Sequence, residues 1–221
     1  MFKKIGFITL PVVAIFSASL ANAAYFDFQA WTGTYGEQGF DNSTPFSLTE
    51  DGLTLTATAT EQIGPDIVDS HVYMDGFYLS SIGGMGVCSA INTSAQCIDS
   101  SDDNVSIDSG NAEILSWNLS QNITDVTLGL GDTDHYDYNG NILYRYGGGA
   151  WTEASDASND GYLTLTLDGS SNMIEFMAVG ESFNDHFYIR NADITAVPVP
   201  AAVWLFASGL LGLVAVSRRR V

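Results

Sequence analysis

The chain has 221 residues, 46% of them hydrophobic, and carries seven Lys and Arg against 26 Asp and Glu for a formal charge of -19. Every carboxylate lies between two apolar ends, and that middle holds only Arg145 and Arg190 as cations. Its surface therefore repels phosphate backbones and anionic headgroups, which excludes nucleic acid as a partner and leaves cations as the compatible small ions.

The first segment, MFKKIGFITLPVVAIFSASLANAA, has a basic start (Lys3, Lys4), an apolar stretch from Ile5 to Leu20 and the small-x-small exit Ala21-Asn22-Ala23. This predicts a signal peptide over residues 1–23, removed by signal peptidase. Pro11, Thr9 and the serines weaken the stretch as a permanent membrane span. Residues 24–196 are then expected to be exported as one extracellular domain, long enough to bury a core.

Within that body, helix signals are nearly absent and alternation is frequent. AYFDFQAW, LTLTATAT, VYMDGFYLSSI, EILSWNL, DVTLGL, NILYRY, YLTLTL, MIEFMAVG and HFYIRN all read as short strands separated by Gly, Asn and Asp turns. LTLTATAT sets Leu53, Leu55, Ala57 and Ala59 on one face and four threonines on the other. YLTLTL, the turn DGSSN and MIEFMAVG read as a hairpin. The expectation is an all-β, antiparallel sandwich of jelly-roll type.

The two cysteines, Cys88 and Cys97 in GMGVCSAINTSAQC, meet an oxidising compartment if the body is exported, and a disulfide between them is expected. Two free thiols or half of a metal site are the alternatives. The loop GDTDHYDYNGN puts Asp132, Asp134, Asp137 and Asn139 within eight residues. Hard cations take six to eight oxygens, so this loop is a candidate calcium site, with Asp102, Asp103 and Asn104 as further ligands from a second loop. It lacks the spacing of a helical-hand calcium loop, and a solvated acidic turn is the competing reading. Trp31, Trp117 and Trp151 are the candidates for stacking on sugars. Trp117 alternates with Leu115 and Leu119 and reads as core, whereas Trp151 in GGGAWTEAS reads as an exposed platform for glycan contact.

No G-x-S-x-G elbow, H-E-x-x-H or phosphate-binding loop occurs. His71, His135 and His186 have Asp and Ser neighbours of the kind any Ser- and Asp-rich chain supplies. The body is read as non-enzymatic. Paired carboxylates for glycoside hydrolysis come from separate strands, where sequence spacing is uninformative, so a polysaccharide hydrolase stands as a third reading.

Residues 197–221 close the chain with VPVPAAVWLFASGLLGLVAVSRRRV. Ala201 to Val216 carry no charge and as a helix would span about 24 Å against a hydrocarbon core of about 30 Å, a marginal transmembrane anchor. Arg218, Arg219 and Arg220 should stay cytoplasmic, leaving the acidic body outside. Pro198 and Pro200 force the residues before them into extended backbone, the form a protease reads.

This tail resembles the PEP-CTERM sorting signals of Gram-negative bacteria, in particular the variant written VPLPA, with Val197, Pro198, Val199, Pro200 and Ala201 as the motif. The resemblance covers about 25 residues, and Val199 stands where Leu or Glu is usual, which leaves the exosortase subtype open. It implies a transient inner-membrane stage and cleavage by an exosortase, a membrane-embedded cysteine protease, before release or attachment at the cell surface. GGMGVC, SSDDNVS and AEILSWNLSQNITDVTLGLGDTDH are also similar to a β-sandwich recurrent in such proteins, one that implies no established catalysis. The expected function is that of an exported surface or extracellular-matrix protein serving adhesion or exopolysaccharide association. The alternative is a carbohydrate-binding module of defined specificity.

Overall fold

In the computed structural model the described residues are 22–76, 83–98, 104–108, 110–133, 136–156, 158 and 160–197. The expected signal segment up to residue 21, the tail from residue 198, and Asp102, Asp103, Asp134 and His135 lie outside them. Among the described residues no helix is long and apolar enough to cross a membrane.

The alternating segment LTLTATAT forms the start of a long strand, Leu53–Ile63, in which Leu53, Leu55, Ala57 and Ala59 are fully buried and the threonines between them are not. In chain order the elements are β1 (Asn22–Asp27), α1 (Phe28–Tyr35), β2 (Gln38–Asp41), β3 (Phe46–Glu50), β4 (Leu53–Ile63), β5 (Asp66–Gly76), β6 (Gly83–Cys88), β7 (Ile107–Asp108), β8 (Asn111–Leu119), β9 (Ile123–Gly131), β10 (Asn141–Tyr146), β11 (Thr152–Ser155), β12 (Tyr162–Thr166), β13 (Met173–Ala178), a 3-10 turn (Phe183–Asp185) and β14 (Tyr188–Ala196).

Each pairing among these strands is antiparallel, and the path β11-β10-β13-β8-β4-β5-β6-β14-β9-β12 is continuous. The fold is a sandwich-like, nearly closed barrel. β5 is the corner: Asp66–Ser70 pair with β4 in one layer, while His71–Gly76 pair with β6 and β2 in the other. The β4–β5 hairpin turns through Gly64 and Pro65, and Gly64 has φ +60°, the left-handed value that the first central position of a type II′ turn requires. β6 reaches β14 through Met85 and Ile189. There, a Cβ on Gly84 would stand 2.6 Å from the Ile189 carbonyl oxygen, so this close approach needs glycine.

The core between the layers is aromatic at one end. Trp117 is fully buried, as its alternation with Leu115 and Leu119 predicts, and packs on Phe176 at 4.9 Å and Phe28 at 5.6 Å between ring centroids. Its indole N–H donates to Met85 Sδ at 3.2 Å.

Two sequence expectations are corrected. AYFDFQAW is a strand only to Asp27; from Phe28 the chain is helical. Asp27 caps that helix, its carboxylate accepting from the Ala30 N–H at 2.8 Å, and Gly36 ends it with φ +82°. The alternation misleads because Phe28, already helical, still points into the core beside Phe46. YLTLTL and MIEFMAVG are adjacent strands but not a hairpin: β12 pairs with β9, and β13 pairs with β8 and β10. The connection crosses between layers, with Leu167 N–H donating to the Thr124 carbonyl and Asn172 bonding Leu119 on the opposite layer. Leu163 and Leu165 thus enter the core from one layer, and Ile174 and Phe176 from the other.

Candidate functional site

Cys88 and Cys97 form a disulfide, their Cα atoms 6.0 Å apart. The loop it closes is further braced by Asn92, whose side-chain oxygen accepts from the Ser94 and Gln96 N–H groups. Ala95 accepts from Gly39 N–H at 2.7 Å and the Gln96 amide donates to the Glu37 carbonyl at 2.8 Å. The loop is therefore stitched to β2 and to the residue before it.

The acidic loop after β9 lines a cleft of about 430 Å³ with Asp132, Thr133, Asp137, Tyr138, Asn139 and Gly140, opposite Asn184 and Asp185. Three of the four expected cation ligands, Asp132, Asp137 and Asn139, thus share one depression. Their carboxylates are already engaged. Asp137 accepts from Arg190 at 2.6 Å and Asp132 from the Tyr136 N–H at 2.8 Å. Arg190 thus shares one oxygen of Asp137 with any cation bound there. Among the described residues no group of three His, Cys, Asp or Glu has the arrangement of a metal site. Tyr138 is buried beneath the cleft, its phenol donating to the Asn141 carbonyl at 2.8 Å with the Asp185 carbonyl at 3.2 Å; burial, with Asp185 nearby, pushes its pKa well above the usual tyrosine value.

Trp151 is half-buried, and the Arg145 guanidinium lies over its ring, 4.6 Å from the centroid. Arg145 is held there by a bidentate pair with Glu175, both contacts at 2.6 Å, and that carboxylate raises the arginine pKa further. One face of Trp151 is thus covered by a clamped cation.

A second cleft, of about 420 Å³, lies where β1, α1 and β3 meet. Of its residues the sequence singles out Trp31 alone, as a candidate for stacking on sugars, because the others come from three elements. Trp31 forms its floor, held edge-on by Phe46 at 5.3 Å and Phe40 at 5.7 Å and flanked by Tyr35 at 4.9 Å. Tyr25 and Tyr35 are 51% and 67% exposed at its rim, and Asp27 and Glu50 supply carboxylates. Tyr25 alternates with buried Ala24 and Phe26, and that period-2 pattern was the one signal that put it outside.

Of the histidines, His71 places Nδ1 3.3 Å from the Cys88 carbonyl oxygen and His186 is half-buried beside β14. No protein family, curated protein or solved structure matches this chain.

Proposed function

We propose that this is an exported, non-enzymatic surface or matrix protein, released or attached after exosortase cleavage of a PEP-CTERM-type tail, whose jelly-roll-like body serves adhesion or exopolysaccharide association. The observation that carries the reading is that β1 and β14, at the two ends of the described residues, pair with each other. Asn22 pairs with Ala196 across β1 and β14, so the strand residues next to the expected signal exit and the expected sorting motif are neighbours. Among the described residues Asn22 and Ala23 are exposed and Ala24 is the first that is buried, so cleavage after Ala23 removes no buried side chain from among them. Ala196 is the last residue of β14, and Val197 opens the Pro-marked motif. The disulfide suits an oxidising compartment. From β8 onward the chain alternates between layers except at the β10–β11 hairpin, which supports the jelly-roll reading.

Intact mass of the protein recovered from the surface of its native host tests the proposal. A species beginning at Ala24 and lacking Trp204 to Arg220 is expected. Recovery of most of the protein with Trp204 to Arg220 still attached overturns processing.

A carbohydrate-binding module of defined specificity is the second reading, favoured by the aromatic cleft beside Trp31 rather than by Trp151, whose ring Arg145 already covers.

A further inference from the structure

We propose that the cleft between β1, α1 and β3 binds a neutral polysaccharide chain, its sugar faces stacking on Trp31 and Tyr35 and its hydroxyls donating to Asp27 and Glu50. The proposal rests on the exopolysaccharide-association reading and gives it a site and a ligand class.

Sugar-binding surfaces need flat apolar rings for the C–H face of a pyranose and a few acceptors at the edge for its hydroxyls. Both are present here. Trp31 is fixed by Phe40 and Phe46, so its ring is oriented before any ligand arrives, and Tyr35 lies 4.9 Å from it on the same helix. Pre-set rings lose little entropy on binding. Asp27 uses Oδ1 to cap α1 and keeps Oδ2 for a ligand; Glu50 has no hydrogen bond or ion pair among the described residues, and hydroxyl-to-carboxylate bonds are the strong kind. Burial, with Asp27, Tyr162 and Asp193 close by, raises the Tyr25 pKa, so its phenol stays a donor at the rim.

The charge decides the class of glycan. The body has two cations, and both are taken: Arg145 by Glu175 and Arg190 by Asp137. Among the described residues nothing near the cleft offsets Asp27 and Glu50, so a uronate or sulfated chain meets repulsion, whereas a neutral chain does not. A neighbouring depression over Gln29 and Gly33 shares Asp27 and Ala30 with the cleft, extending the surface along α1 for more than one sugar. The site also lies near the far end of β1 from the body's termini: Asp27 is five residues from Asn22, about 17 Å along a strand.

Calorimetric titration of the full-length protein with cellotetraose, xylotetraose, maltotetraose and chitotetraose tests it, with tetragalacturonate as the anionic arm and a proline-rich basic peptide as the other chemistry an acidic aromatic cleft attracts. At least one neutral tetrasaccharide should bind and tetragalacturonate should not. The Tyr25→Ala/Tyr35→Ala double variant, which removes exposed rings only, should lose affinity about tenfold or more with an unchanged Tm, and Glu50→Gln should weaken binding several-fold. Unchanged affinity in the double variant, or loss in Trp151→Ala instead, overturns this cleft while leaving exopolysaccharide association standing. Binding of the peptide alone, or of no neutral glycan by the wild-type protein, overturns the ligand class; the processing proposal is judged separately by the mass of the surface form.

Discussion

Asp75 carries an acid-side consequence that rests on a single residue. It sits at the end of β5, 7% exposed, and burial, followed by the nearby Glu37 carboxylate, raises its pKa from the ordinary 3.8 to about 6, with the Gly76 N–H opposing. A carboxyl that holds its proton more tightly in the folded chain stabilises the fold fully below its unfolded pKa, and that contribution is lost as pH rises through the folded value. The protein should therefore gain stability from Asp75 as pH falls from 7.5 towards 4. Asp75→Asn should be the more stable protein at pH 7.5, and its advantage should shrink by about 2–3 kcal/mol by pH 4. Denaturant unfolding at several pH values checks this, and parallel pH profiles for the two proteins would refute it. Asp41 and Asp168 act in the opposite sense. Hydrogen bonds from Ser43 and Ser170 lower their pKa values, so what they contribute is lost only below the ordinary carboxylate range.

Among the elements, the disulfide loop after β6 is the one whose removal has a calculable cost. Cys88 and Cys97 are nine residues apart, and opening so short a loop in the unfolded chain is worth about 2–3 kcal/mol in the chain-entropy account. The native loop also anchors Gly39 and the Glu37 carbonyl, so a paired Cys88→Ser/Cys97→Ser change should destabilise by at least that amount and raise amide exchange in β2 first. Loss of stability without faster exchange at Gly39 would show that the loop does not brace β2. The core is less forgiving: Trp117→Ala should cost about 3–5 kcal/mol, because the ring fills space between Phe28 and Phe176 and its N–H meets Met85.

For the molecule as a whole, the pairing of β1 with β14 joins the first and last strands of the body. A body starting at Ala24 keeps the buried Ala24 and Phe26 and loses only Asn22 and Ala23, both exposed. Its melting temperature should match that of a body starting at Asn22 within a few degrees. Truncation before Ile194 should instead unfold it, because Ile194 and Ala196 are fully buried against β9. Equal thermal stability of the two shortened forms would overturn the view that the end of β14 is needed to hold its layer together.

Local pattern sufficed for much of this. The alternation of LTLTATAT fixes which side chains are buried, because a strand's period of two leaves one face to the core whatever its partner; the same local logic placed Trp117 inside and paired the only two cysteines. The choice of partners is different. YLTLTL and MIEFMAVG look like a hairpin, yet they lie in opposite layers, since either arrangement buries the same leucines, isoleucine and phenylalanine and only the neighbours β8, β9 and β10 decide between them. Asp27 and Gly36 carried the helix signal for α1, but eight residues are too few for it to outweigh the alternation that runs into Phe28. Asp137 reads as a cation ligand in the sequence, and only the fold shows that Arg190, 53 positions away, lies 2.6 Å from one of its oxygens. The cleft at Trp31 exists only because β1, α1 and β3 converge, and convergence of distant segments is a property of tertiary packing that no single stretch of sequence contains.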